Sequence, residues 1–418
     1  MEVMMDKNAK KSSSVDLDYS LEAVPQNSSE RKGFWGLFVV MLGFTFFSAS
    51  MSVGANMANG LNFSDFVKAI MIGGIILSVY TGLLAYVGSA TGLSMDLLAR
   101  RSFGSIGSYL PSALISFTQI GWFGVGAAMF AYPVSELTGL NPWIFIIIVG
   151  ALMTTSAYFG MKGLTIVSFI SVPLITILGV YSMTLAISSG GGLIAMFDKS
   201  QGNMTLFAAV GMVVGSFISG GTATPNFVRF SKTKKIAVVT TIIAFFLGNS
   251  LMFLFGAVGG AFTGKEDIFY VMIAQGLTIL AILVLGANIW TTNDNALYSS
   301  ALGLSNITKI RKKPMTLAAG AIGTLLAVWL YNNFVSWLSL LNATLPPVGA
   351  ILVMDYFLHK ENYKSDSEPV CKINPAAIVG VVAGALTANF LKWGIASINA
   401  MVVAIVCYLI GEAIRTKK

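Results

Sequence analysis

From residue 34 to residue 414 the chain alternates between long apolar stretches and short polar turns. Roughly twenty apolar residues in a helix cross the hydrocarbon core of a bilayer. Lipid cannot hydrogen-bond a backbone, so each stretch must satisfy its own N–H and C=O groups, and a helix does this. About twelve spans fit, near 34–57, 66–92, 109–133, 141–160, 163–188, 206–230, 236–262, 277–301, 315–331, 334–358, 375–391 and 397–414. A single soluble domain is excluded. The expected fold class is an all-α integral membrane protein of about twelve transmembrane helices. The 43 glycines suit close-packed membrane helices, where small residues let backbones approach.

A net charge of +8 invites a nucleic-acid reading, but the basic residues sit in short turns between spans. With the amino terminus inside, only Lys68, Lys199, Lys265 and Lys392 fall outside, leaving 22 of the 26 Lys and Arg on the inner face. That asymmetry places both termini in the cytoplasm and makes the plasma (inner) membrane the expected location. Nucleic acid is not expected as a partner. Residues 1–33 are a polar cytoplasmic tail with neither the apolar core nor the cleavage site of a signal peptide. Cys371 falls in a cytoplasmic loop and Cys407 in the last span, so no disulfide is expected. The segment 93–104 has the pattern of a short amphipathic cytoplasmic helix, with a matching outer helix over 265–275.

Two spans are interrupted at mid-depth. Gly43 with Ser48-Ala-Ser50 interrupts span one, and Ser219-Gly-Gly-Thr222 interrupts span six within Gly215–Thr224. Broken helices survive at that depth only beside protein or a lined cavity, and there secondary transporters hold substrate and ion. Spans one to five and six to ten have opposite orientations, so the paired interruptions predict an inverted repeat. The core is then 34–358, made of repeats 34–188 and 206–358. A cytoplasmic loop (359–374) and two peripheral helices with the carboxy terminus (375–418) complete the chain. The Leu345-Pro-Pro-Val-Gly349 segment is expected to interrupt span ten and free carbonyls there.

Other polar residues gather at the same depth. Gln119 and Trp122 share a face of span three, Phe217 and Ser219 lie in span six, and Asn288, Thr291 and Thr292 share a face of span eight. Trp122 offers a flat face to a planar ligand, or is a packed core ring whose N–H meets a carbonyl. Gln119 offers the paired donor and acceptor that a heterocycle edge requires, or is glue between helices. The threonines either bond their own preceding turn or, with free carbonyls of span one, hold a monovalent cation. Asp294 is either an intramembrane proton carrier or a capped structural aspartate. Asp355 and His359 mark the inner end of span ten, with His359 interfacial. One histidine and no clustered carboxylates at depth exclude an enzyme and a transition-metal site, and no cofactor is expected. A channel would need a continuous polar file, which is absent.

These residues carry a resemblance. Val40-Met-Leu-Gly-Phe-Thr-Phe-Phe-Ser-Ala-Ser-Met51, Thr118-Gln-Ile-Gly-Trp-Phe-Gly-Val-Gly126 and Val214-Gly-Ser-Phe-Ile-Ser219 resemble the nucleobase:cation symporter-1 family, most closely its bacterial cytosine permeases. Asn288-Ile-Trp-Thr-Thr-Asn-Asp-Asn-Ala-Leu-Tyr298, Trp329-Leu-Tyr-Asn-Asn-Phe-Val335 and Pro346-Pro-Val-Gly349 match as well. The resemblance implies a leucine-transporter-like five-plus-five inverted repeat with broken helices 1 and 6, importing cytosine or a close pyrimidine with sodium by alternating access. It implies a base between Trp122 and Phe217, read by Gln119, Ser219 and Asn288. Sodium would be held by the carbonyls of Gly43, Phe46 and Asn288 and the hydroxyls of Thr291 and Thr292. A proton-coupled carrier, or one for a hydantoin or hydroxymethylpyrimidine, is the alternative. After Ser219 this chain has Gly-Gly-Thr-Ala-Thr-Pro-Asn where those permeases usually have Ala-Gly-Thr-Leu-Thr-Ala-Asp. The expected unit is a monomer in the bilayer.

Overall fold

The computed structural model describes residues 18–197, 200–364, 371–391 and 393–416, with side chains at all of these except 334–342 and 416. Among them there is no strand, only an isolated bridge between Lys32 and Ser231. Helices occupy every predicted span, in order. Span one is α1 (Phe34–Thr45) and α2 (Ser48–Gly60), bent by 56°. Then follow α3 (Phe63–Thr91), the short α4 (Met95–Ser102), α5 (Tyr109–Thr138), α6 (Pro142–Tyr158) and α7 (Met161–Ser189). Span six is α8 (Leu206–Gly221) with α9 (Thr224–Val228), and span seven is α10 (Lys234–Ile243) and α11 (Asn249–Thr263) joined by a π turn. The short α12 (Ile268–Ala274) leads to α13 (Thr278–Thr308), α14 (Lys312–Asn332), α15 (Phe334–Leu358), α16 (Pro375–Phe390) and α17 (Ala396–Thr416).

Polarity is distributed as a bilayer requires. Ile75, Val79, Ile147, Ile170, Ile177 and Leu325 point outward and are exposed, whereas Asn288, Thr291, Asn293 and Asp294 are buried. Glycine decides where α2, the second half of span one, can pack. A Cβ on Gly54 would come 2.0 Å from the Phe253 carbonyl, and one on Gly256 would come 1.8 Å from that of Met51. α2 and α11 therefore cross backbone to backbone, as small residues permit between membrane helices.

Three local expectations are corrected. The break in span one falls at Phe46-Phe47, whose non-helical backbone separates two helical halves, while Ser48-Ala-Ser50 is the first turn of α2. In span six the helix runs through Ser219 and Gly221, and the discontinuity is the single step Thr222-Ala223. Thr222 keeps its N–H bonded to the Ile218 and Ser219 carbonyls, so little backbone is freed there. Span ten is not interrupted: α15 continues through Pro346 and Pro347. Gly349 instead provides room, because a Cβ there would come 1.9 Å from the Tyr80 hydroxyl. That hydroxyl bonds Thr222 Oγ1 at 2.7 Å.

The described part of the amino-terminal tail is docked rather than free. Buried Arg229 donates to the Asp18 and Tyr19 carbonyls and to the Tyr298 hydroxyl. Arg31 donates to the Val24, Pro25 and Ser231 carbonyls. Asp18 pairs with Lys312 at 2.9 Å, and Lys312 is only 1% exposed. Removing one partner of a buried pair strands the other charge. Lys312→Met is therefore expected to destabilise the protein by about 3–5 kcal/mol, and Asp18→Asn combined with it by clearly less. Thermal unfolding of the purified protein in detergent measures both.

At the carboxy-terminal end of α15, Asp355 accepts hydrogen bonds from His359 Nδ1 at 2.7 Å, Tyr408 at 2.5 Å and Tyr363. His359 thus belongs to a network tying α15 to α17. Cys371 and Cys407 are free thiols.

Candidate functional site

The break at Phe46-Phe47 releases the end of α1 from helical pairing and turns its carbonyls toward α13. Gly43 lets the helices approach: a Cβ there would lie 2.2 Å from Thr291 Oγ1. Thr292 Oγ1 lies 2.6 Å from the Phe46 carbonyl, 3.4 Å from that of Gly43 and 3.3 Å from that of Asn288. Thr291 Oγ1 lies 3.1 Å from the hydroxyl of Ser168 on α7. Of the five oxygens that the resemblance implies, four therefore converge at Thr292, and the Thr291 hydroxyl beside Gly43 meets that of Ser168. All are neutral and all are hard donors, the chemistry that suits a monovalent cation such as sodium. Among the described residues no group of three or more His, Cys, Asp or Glu could hold a metal ion.

Beside these oxygens lies a small cavity. Phe44, Phe47, Gln119, Trp122, Phe217 and Ser219 line it, with Ser216, Gly220, Thr292 and Ala296. Its room is ≈ 20 Å³, about that of one water molecule. Phe217 is held edge-on by Phe44 at 5.1 Å and Phe245 at 5.5 Å between ring centroids, and Phe47 meets Trp122 edge-on at 5.2 Å. Two polar atoms on the wall have no hydrogen-bond partner although fully buried: Gln119 Nε2 and Ser219 Oγ. Leaving such a group unpaired costs about 1–3 kcal/mol, so a donor and a hydroxyl are held ready for a ligand.

Asn288 is placed differently. Its carbonyl belongs to the oxygen set, but its side-chain amide does not line the cavity. Asn288 Oδ1 accepts from Ser48 Oγ at 3.0 Å, and Nδ2 lies 3.4 Å from Met252 Sδ. Ser168, Phe44 and Phe47 were not singled out from the sequence. Ser168 shares a face of span five with Ser171, just before Pro173, which is the one signal that could have drawn attention to it. Asp294 is 0% exposed, and neither carboxylate oxygen has a hydrogen-bond partner. Near the oxygen set the π turn Ala244–Gly248 lets the Ala244 carbonyl accept from Thr45 Oγ1 at 3.1 Å. Such turns concentrate at functional sites.

A bundle of membrane helices that closes an aromatic and polar cavity at its centre, beside converging neutral oxygens, is the build of a membrane transporter. The profile of a family described as permeases for cytosine/purines, uracil, thiamine and allantoin matches residues 23–411. The cytosine permease of Escherichia coli (strain K12) is 49% identical over 407 residues, 97% of this chain and 96% of that protein. The hydantoin permease of Microbacterium maritypicum is 25% identical over 375 residues, 80% of this chain and 76% of that protein. Among solved structures, Mhp1, a nucleobase-cation-symport-1 family transporter in a closed conformation with bromovinylhydantoin bound, superposes with a TM-score of 0.81 at 20% identity. That alignment covers 95% of this chain and 96% of that one. The chain belongs to this permease family. It is a multi-pass membrane protein and a nucleobase transporter, not an enzyme.

Proposed function

We propose that the protein imports cytosine with a sodium ion by alternating access. The observation that carries this is the pair of unpartnered polar atoms, Gln119 Nε2 and Ser219 Oγ, in an aromatic cavity that shares Thr292 with the oxygen set. The base lies between Trp122 and Phe217, with Gln119 and Ser219 on its polar edge. Asn288 joins them when its amide leaves Ser48. Sodium is held by the carbonyls of Gly43, Phe46 and Asn288 and the hydroxyls of Thr291 and Thr292. Because Thr292 serves the oxygen set with its hydroxyl and the cavity with its side chain, filling one site organises the other. The similarity to a cytosine permease across nearly the whole chain supports cytosine over other bases.

The core is 34–358 with repeats 34–188 and 206–358, and 375–418 is peripheral. The protein works as a monomer in the inner membrane with both termini cytoplasmic. A cavity of ≈ 20 Å³ is too small for a pyrimidine, so the helices must part for binding. Proton coupling is the competing reading, and the buried, unpartnered carboxylate of Asp294 favours it.

Competition binding to the purified protein, with cytosine, uracil, adenine and hydantoins in the presence and absence of sodium, tests the proposal. Cytosine is expected to bind tightest, and only with sodium. Cytosine presents an amine beside a bare ring nitrogen where uracil presents a carbonyl beside an N–H, so a wrong base leaves buried groups unpaired. Cytosine should therefore win over uracil by about tenfold or more, and Gln119→Ala should weaken cytosine binding and narrow that margin. Preference for uracil or a hydantoin would overturn the substrate. Binding driven by a proton gradient without sodium would move the coupling to Asp294.

A further inference from the structure

A second, larger cavity lies along the same helices as the base cavity. Three elements line the two in turn. On span one Phe44 and Phe47 face the base cavity, and Ser48 and Ser52 the outer one. On α5 the pairs are Gln119 with Trp122, then Met129 with Pro133, and on α13 they are Thr292 with Ala296, then Leu285. The outer cavity holds ≈ 350 Å³ and is completed from the loop before α12 by Glu266 and Asp267, with Tyr270 and Tyr331. That is room for a single heterocycle, where the base cavity in this state has none.

Asn288 lies on α13 between the two linings, one helical turn from Leu285 on one side and from Thr292 on the other. Ser48, the first residue of α2, donates its hydroxyl to Asn288 Oδ1 at 3.0 Å, and each residue is 1% exposed. This bond joins α2, the second half of span one, to α13 immediately beyond the Phe46-Phe47 break. Any swing of α2 about that break must part it. We propose that the Ser48–Asn288 hydrogen bond is the latch that shuts the base site from the outer cavity, with Ser48 as its positioning residue. The outer cavity is then the side from which the base arrives. This rests on the central cavity being the base site.

Asp267 gives the latch a competitor. Its carboxyl is pushed above the usual carboxylate range by burial, and drawn back by the Phe269 N–H and by the Ser48 hydroxyl. A serine has one proton to donate, which here goes to Asn288 Oδ1, and the Asp267 carboxyl lines the same outer cavity as Ser48. Each step of Asp267 toward Ser48 loosens the bond to Asn288. An asparagine at 267 would instead offer Ser48 a donor and leave the serine proton on Asn288, while its side-chain oxygen could still accept from Phe269 N–H, as Asp267 does at 2.9 Å.

The test uses the full chain with Cys371→Ser and Cys407→Ser and a single cysteine introduced as Ala296→Cys, on the wall of the base cavity. A membrane-impermeant thiol reagent is added to intact cells in sodium without base. Ser48→Ala and Asn288→Ala should each speed labelling by about tenfold, the worth of one neutral hydrogen bond. The double mutant should label no faster than either, because the pair acts as one interaction. Ser48→Thr, which keeps the hydroxyl, should stay near the parent rate, and Asp267→Asn should label more slowly. Equal rates in the parent and Ser48→Ala, or additive acceleration in the double mutant, would overturn the latch. Slowing by added cytosine in the parent is read separately. Its absence would count against the base site, whereas the latch is judged by the rates without base.

Discussion

Replacing Thr291 and Thr292 together with alanine is expected to abolish sodium-stimulated cytosine binding while the protein still folds. Thr292 Oγ1 lies within 3.4 Å of the Gly43, Phe46 and Asn288 carbonyls, so this one side chain touches three oxygens of the set. Thr291 adds a second hydroxyl, beside that of Ser168. Taking each oxygen–cation contact as comparable to a hydrogen bond to a charged group, about 1.5–3 kcal/mol, the double mutant should need roughly 100-fold more sodium or worse. Alanine removes hydroxyls but no carbonyl and no helix, so a melting temperature near that of the wild type should accompany the loss. Base binding titrated against sodium measures the effect. Wild-type sodium dependence in the double mutant would place the cation elsewhere and turn attention to Asp294.

Trp122→Ala is expected to weaken cytosine binding by tenfold to a hundredfold, from about 1–3 kcal/mol of stacking on one aromatic face. Trp122→Phe should lose distinctly less, since a smaller flat face remains. Phe47 and Trp122 meet in a T-shaped pair, which helps hold the indole in place. Equal losses in the two variants would mean that Trp122 packs the core and does not stack on the base. Calorimetric binding at saturating sodium separates these outcomes, because it keeps the cation site full.

Much of the architecture was legible before any coordinates. Each span had to be a helix because lipid leaves the backbone no other partner, and the lysine and arginine distribution gives an expected orientation that does not depend on packing. Gln119, Trp122 and Ser219 stand out in the sequence as polar or amphipathic residues at a depth where such groups are costly, and Phe217 lies two residues from Ser219. They do line one cavity. Less legible was how far each backbone would depart from a helix. Glycine and serine make a break permissible without requiring one, so Ser219-Gly-Gly-Thr222 stays helical until Thr222, and α15 runs through two prolines.

By itself, then, the sequence determined the number and order of the helices, their expected sidedness and the depth at which polar chemistry collects, since these follow from the bilayer acting on each segment alone. Only the tertiary structure decided which groups meet. Thr291 beside Ser168, the Asn288 amide on Ser48 and Asp18 on Lys312 join residues more than 120 positions apart. Hydrogen bonds of that kind depend on the rotation and crossing of packed helices, set by close approaches such as Gly43 to Thr291 and Gly256 to Met51, which no span encodes on its own.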